Sequence, residues 1–220
     1  MSRQARRGPG RGFVLDPARV PAAWRHDGAR PLHVNLDGDY GYLEAGYYAS
    51  LDLEDAGASV IPTTADALDA YVVPIAVTKA ESLGIPVPTY VVATDRFPPP
   101  PLLAYPVNPF SSRGERLETR ADVDARRAGL TYTGKYAVLC QRLPESSRLD
   151  TLRIVLGRCE VEEYAAYAQR LFECFRLPLM RARVIVTTDA YLLSALEPLP
   201  WRSLSASERA LVEEAGTWRD

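Results

Sequence analysis

The residues best suited to chemistry lie in one short stretch, Asn35 to Tyr48. An amide and two carboxylates stand at alternate positions, Asn35, Asp37 and Asp39, and four tyrosines follow, Tyr40, Tyr42, Tyr47 and Tyr48. Acids at that spacing suit a cation, an amine, or the amide-rich N-terminus of a helix. An anion at the helix start is physically allowed, but Asp37 and Asp39 repel it. Tyrosines combine a large apolar ring with a polar tip, which fits either a core or a docking surface. Gly38, Gly41 and Gly46 lie in the same stretch but lack the G-x-G-x-x-G spacing of a dinucleotide fingerprint. These seven residues form the candidate ligand- or partner-binding set. No catalytic residue and no metal ligand is assigned.

Other motifs carry less. Gly129 to Lys135 has the G-x-x-x-x-G-K spacing of a phosphate-cradling loop. Tyr136 stands where such a loop needs Ser or Thr, the preceding residues are polar, and the following ones read as a strand. A glycine-bounded turn entering a strand is the expectation. Cys140, Cys159 and Cys174 are odd in number and widely spaced, so no disulfide framework is expected. His26 and His33 are the only histidines, and there is no H-E-x-x-H. No Ser-His-Asp order, Cys-His pair or ligand-like carboxylate cluster occurs. No cofactor is expected.

The elements that must position the stretch follow from periodicity. Leu32 to Leu36 suits a buried strand, Tyr42 to Ala56 a helix stopped at Gly57, and Ser59 to Thr63 a second strand. Two strands so close with a helix between them predict a β-α-β unit with parallel strands. Ligands of open α/β sheets sit at the carboxyl ends of strands, where Asn35 to Asp39 fall. Thr64 and Asp66 are candidate caps for a helix broken at Pro74 and resumed to Leu83. Thr89 to Ala93 reads as a strand, and Phe97 to Pro101 as a rigid spacer. Residues 102–150 are poorly patterned. Arg113 to Arg127 reads as a solvated helix or a mobile loop, and Tyr136 to Cys140 as a strand. Leu152 to Gly157 alternates. Val161 to Arg176 shows an apolar helical stripe with acids in its first turn. Arg181 to Thr188 and Tyr191 to Leu196 read as a hairpin. Ser205 or Ser207 is positioned to cap a last short helix.

Composition bounds the class. The chain has 220 residues, 47% hydrophobic and 25% charged, with a net charge of -2. That fits a soluble α/β domain over residues 31–220 with one mixed, partly parallel sheet flanked by helices. Residues 1–30 read as a flexible basic arm, with four arginines and no acid before Phe13. The near-neutral charge gives no pull toward nucleic acid or an anionic membrane. No apolar run reaches the ~20 residues that span a bilayer. A reducing, cytoplasmic setting is expected.

The opening stretch resembles the N-terminal domain found ahead of RimK-like ATP-grasp ligases. That family shows a pattern close to N-L-x-x-x-Y-x-Y-L-x-x-G-Y-Y-x-S-L, then a glycine and an Ile-Pro. Here Asn35, Leu36, Tyr40, Tyr42, Leu43, Gly46, Tyr47, Tyr48, Ser50 and Leu51 match it, followed by Gly57, Ile61 and Pro62. Leu171-Phe172, Phe175, Pro178-Leu179 and Arg181 resemble the family's helix-to-strand element. Pro198-Leu199 and Leu204 resemble the run that leads toward the ligase part. Asp52, Glu54 and Asp55 depart from the family, whose helix is apolar and Arg-containing there. The resemblance also implies that the residues binding ATP and magnesium belong to a ligase part that this sequence lacks. The expectation is a non-catalytic accessory domain, stand-alone or a domain piece, that recognises substrate or docks a separate ATP-grasp carboxylate–amine ligase chain. The alternatives are an enzyme binding an amino acid or peptide amine through Asn35, Asp37 and Asp39, and a self-associating dimerisation module using the tyrosines.

Overall fold

A computed structural model of the chain describes residues 23–24, 32–107, 113–214 and 218–219. Apart from Ala23–Trp24, the expected arm over 1–30 lies outside the described residues. The first elements are β1 (Ala23–Trp24), β2 (Leu32–Val34), α1 (Ala45–Asp55), β3 (Ser59–Ile61), α2 (Thr64–Tyr71) and α3 (Val73–Ser82). Next come β4 (Tyr90–Ala93), β5 (Leu102–Pro106), β6 (Glu115–Leu117), α4 (Arg120–Leu130), β7 (Val138–Arg142) and β8 (Arg148–Val155). Then α5 (Ala165–Phe175), β9 (Leu179–Val186), β10 (Tyr191–Pro198), α6 (Ala206–Glu214) and β11 (Trp218–Arg219) complete the order.

The class is α/β with one parallel pair, as expected: β2 and β3 pair in parallel across α1. The strands are distributed over three sheets, in the orders β11-β1-β2-β3, β10-β9-β8 and β4-β7-β5-β6. The poorly patterned 102–150 region supplies much of the third sheet, as short antiparallel strands with distant partners. The stretch expected as a solvated helix or mobile loop holds β6 and α4. Thr119 and Asp122 start α4 with a reciprocal capping box. Thr63 and Asp66 do the same for α2, so the cap falls one residue before the expected Thr64. The expected helix from Val161 begins as a single 3-10 turn, Glu162–Tyr164, before α5. No helix among the described residues is long and apolar enough to cross a membrane.

The β9–β10 hairpin is the hub. Met180, Ala182, Val184 and Val186 alternate onto one face, packing against α2, α3 and α5 through Ala70, Ala76, Leu171 and Phe175. Ile185 and Ala195 pack the other way, onto Leu103, Tyr105 and Leu139 of the third sheet. Leu102, Ala104, Val138 and Cys140 on the far side of that sheet pack on Val123 and Leu130 of α4. Val34, Leu36 and Ile61 meet Leu179, Leu199 and Val212, which joins the parallel pair to the hairpin and α6.

Polar bonds pin these layers. The Tyr105 hydroxyl lies 2.7 Å from Ser194 Oγ, which donates to Gln141 Oε1 at 2.6 Å, and Gln141 Nε2 donates to the Ser194 carbonyl at 2.7 Å. All three residues are buried. Arg153 on β8 donates from Nε and Nη2 to both oxygens of Glu208 on α6, at 2.5 and 2.7 Å. Glu208 also closes a capping box with Ser205, which is therefore the α6 cap. The Arg153 bond holds the Glu208 carboxyl below its ordinary value.

A depressed carboxyl stabilises the fold above its unfolded value and loses that contribution as acid protonates it. The Glu208 side chain is 3% exposed and the Arg153 side chain 38%, so solvent screens the pair on one side only. Glu208→Gln is expected to cost about 2 kcal/mol in urea denaturation at neutral pH. The gap to the parent should close as pH falls below 4.5, the ordinary value for this carboxyl.

Candidate functional site

The expected strand–turn–helix forms at the carboxyl end of β2. Its polar atoms turn inward. Asn35 Oδ1 accepts from the Asp37 amide at 2.9 Å, and Asn35 Nδ2 donates to Asp39 Oδ1 at 3.5 Å. Asp39 Oδ2 accepts from the Gly46 amide at 3.0 Å. That contact does from seven residues away what an N-cap side chain does, because Glu44 at the cap position makes no such bond to α1. Glu44 instead accepts from the Gly41 amide at 2.7 Å. The Asp37 carbonyl accepts from the Trp201 amide at 3.2 Å, tying the turn to the segment after β10.

Two glycines make this closeness possible. A Cβ on Gly46 would meet Asp39 Oδ1, with Asn35 Nδ2 and the Asp39 carbonyl oxygen each at 2.5 Å. Gly38 has φ +75°, and a Cβ there would meet the Leu199 carbonyl, with Pro200 Cα at 2.8 Å. Backbone atoms bound both spaces, so no side-chain rotation relieves them.

The four tyrosines divide. Tyr40 is 1% exposed and donates from its hydroxyl to the Asn35 carbonyl at 2.6 Å. Burial pushes its phenol well above the ordinary value, so it remains a donor at any ordinary pH. The structure thus places Tyr40, named with the binding candidates, in the core as a lock on the turn. Tyr42 and Tyr48 are 51% and 44% exposed. Tyr47 lies edge-on between them, at 5.6 Å and 84° from Tyr42 and 5.9 Å and 89° from Tyr48. Such T-shaped pairs hold rings in fixed orientation. Leu43 and Leu51 extend the apolar surface, and Asp52 and Asp55 lie exposed at its side. Glu54 turns the other way and caps α2 through Thr64, whose hydroxyl lies 2.8 Å from it.

Gly129 to Lys135 leaves α4 and enters β7 through a run of turns, opposite in order to a strand that opens a helix. Cys174 is buried and pushed up to about 11 by burial, as a packing thiol is.

Sequence reading missed a second polar site along β8. A slot of about 290 Å³ is lined by Asp150 to Arg153 on one side and by Cys159, Glu160 and Val161 on the other. The Tyr164 hydroxyl donates to Asp150 at 2.8 Å and accepts from Arg148 Nη2 at 3.0 Å. The Tyr164 bond holds the Asp150 carboxyl below its ordinary value. The one usable signal was the alternation at Leu152 to Gly157, but the strand begins four residues earlier, inside the poorly patterned region.

The family description "RimK-like ATPgrasp N-terminal domain" matches residues 25–215 of the chain. No curated protein sequence matches it. The fold is similar to a RimK domain ATP-grasp protein from Sphaerobacter thermophilus DSM 20745, at 16% identity and TM-score 0.57 over 91% of this chain and 83% of that one. It is similar to a D-alanine–D-alanine ligase from Helicobacter pylori, at 16% identity and TM-score 0.59, covering 83% of this chain and 69% of that one. A D-alanine–D-alanine ligase from Bacillus anthracis, complexed with ATP, gives 12% identity and TM-score 0.57 over 80% and 70%.

Two substitutions test the construction of the turn. Asp39→Ala is expected to cost about 1 kcal/mol, the value of a helix cap. Gly46→Ala, which overpacks the same space, is expected to cost about 1–3 kcal/mol. Urea denaturation of each variant measures both.

Proposed function

The chain belongs to the RimK-like ATPgrasp N-terminal domain family, and we propose that it is a non-catalytic accessory domain that docks a RimK-like ATP-grasp carboxylate–amine ligase or presents substrate to it. The observation that carries this reading is the pair of exposed rings Tyr42 and Tyr48, each edge-to-face on the half-buried Tyr47, on a turn that five internal hydrogen bonds hold rigid. Large aromatic rings fixed in place before association bury area with little loss of side-chain freedom. Asp52 and Asp55 beside them favour a partner with a basic rim. Asn35 and Asp39 are engaged in the turn itself, which supports a positioning role for them rather than contact with an amine substrate. The reading places the chain in the cytoplasm with its ligase.

The test pairs the purified chain with a RimK-like ATP-grasp ligase in titration calorimetry. Tyr42→Ala and Tyr48→Ala are each expected to weaken binding about tenfold, the effect of an aromatic anchor, with the melting temperature unchanged. ATP added to the isolated chain is expected to leave its melting temperature where it was. ATP-dependent stabilisation or turnover by the isolated chain, or full affinity in the tyrosine variants, overturns the proposal.

A further inference from the structure

We propose that the slot along the outer edge of β8 takes a short extended peptide from a partner, joined to the strand by main-chain hydrogen bonds and oriented by a basic side chain. This site uses no residue of the tyrosine face and does not depend on the ligase reading.

Among the described residues, the sheet order β10-β9-β8 leaves one edge of β8 without a neighbouring strand. The direction of its main-chain groups is legible. At the end of the strand, Val155 donates to the Arg158 carbonyl at 2.8 Å and accepts from the Arg158 amide at 2.9 Å, on the side away from β9. Main-chain groups two residues apart in an antiparallel ladder turn the same way. Arg153 and Thr151 therefore present their N–H and C=O groups to the same outer side. The Thr151 amide confirms the direction: it donates to the Asp150 carboxylate at 3.1 Å.

The slot runs along this edge rather than over a face of the sheet. Asp150 and Leu152 line it from one face of β8, and Thr151 and Arg153 line it from the other. Its far wall is the segment Cys159 to Val161. Tyr164 closes one end on Asp150 and Arg148, and the Arg153–Glu208 pair closes the other. The open edge between the clasps spans about 7 Å at the strand rise, enough for two to three extended residues. A groove between a strand edge and a facing segment is the geometry of peptide recognition by strand addition.

Charge selects the occupant. Arg148 and Arg153 are each bonded to an acid of the lining, Asp150 and Glu208. Two further acids face the slot, Glu160 and Glu163. Their hydrogen-bond donors among the described residues are hydroxyls: Ser205 and Ser207 for Glu160, and Tyr191 for Glu163. The lining therefore keeps an excess of two negative charges, which an Arg or Lys side chain of the added strand neutralises.

The probe is a fluorescein-labelled peptide, acetyl-Val-Arg-Val-Arg-Val-amide, read by anisotropy on the full chain. A twin N-methylated at all five residues loses the main-chain donors of either strand edge and keeps the charge. A second twin replaces both arginines with glutamates. Saturable binding of the parent peptide is expected, with each twin at least about tenfold weaker. The Glu160→Gln, Glu163→Gln double variant, altered at exposed positions, should weaken the parent peptide about fivefold. Absence of saturable binding overturns the proposal, and so does equal affinity of either twin. A chain that sediments as a dimer and admits the peptide only on dilution assigns the edge to a second copy instead, which also overturns it.

Discussion

The space beside Gly46 admits no further atom, and the rest of the opening segment follows from that constraint. Because a hydrogen replaces Cβ there, Asp39 reaches the amide of Gly46 and Asn35 reaches Asp39. The turn then collapses onto α1, and the Tyr40 hydroxyl closes it from below on the Asn35 carbonyl. Gly38 does the equivalent on the opposite side, letting the turn lie against the backbone of Leu199 and Pro200. Two runs of sequence about 160 residues apart are thereby one structural unit. Each of the two runs is part of the other's packing surface.

The hairpin of β9 and β10 extends that unit through the molecule. Its alternation sends Met180, Ala182 and Val184 toward the helices and Ile185 toward the third sheet, so three hydrophobic clusters share two strands. The buried Tyr105–Ser194–Gln141 chain sits where the two antiparallel sheets face each other. Apolar contacts alone tolerate sliding, whereas three directional bonds in a low-dielectric interior fix one register between the sheets. The turn that presents the tyrosines is thus anchored, through Leu36 and Leu199, to a core with little freedom to shift.

How much of this was legible depended on distance along the chain. The β2-α1-β3 unit and the β9–β10 hairpin were readable because their partners are neighbours in sequence, even though the hairpin register shifts between Leu193 and Ala195. The third sheet was readable only in part: the strands expected at Thr89 to Ala93 and Tyr136 to Cys140 form as β4 and β7, but β5, β6 and the pairing across long intervals are encoded by no local pattern. The capping pair Thr119 and Asp122 was the one local mark of α4, at a spacing that Asp in place of Glu makes easy to overlook. Within the site, residue type identified the group but not its orientation. Tyr40 and Tyr42 differ by two positions, yet one is a core lock and the other half exposed, because the chain leaves extended geometry between them. The β8 slot was illegible for a different reason: its walls come from both faces of one strand and from a segment that crosses it later, a relation that only three dimensions define.

The acidic residues that depart from the family pattern on α1 separate by role in the same way. Glu54 is structural, since its carboxylate caps α2 through the amide and hydroxyl of Thr64. Asp52 and Asp55 point to solvent on the helix that carries Tyr47 and Tyr48. One helix therefore combines a fold-specific acid with two exposed acids that make no side-chain hydrogen bond or ion pair among the described residues. Under the proposed docking role, the surface pair adds electrostatic selectivity to an aromatic anchor without weakening it, because rim charges act mainly on encounter and rejection while the buried rings supply affinity.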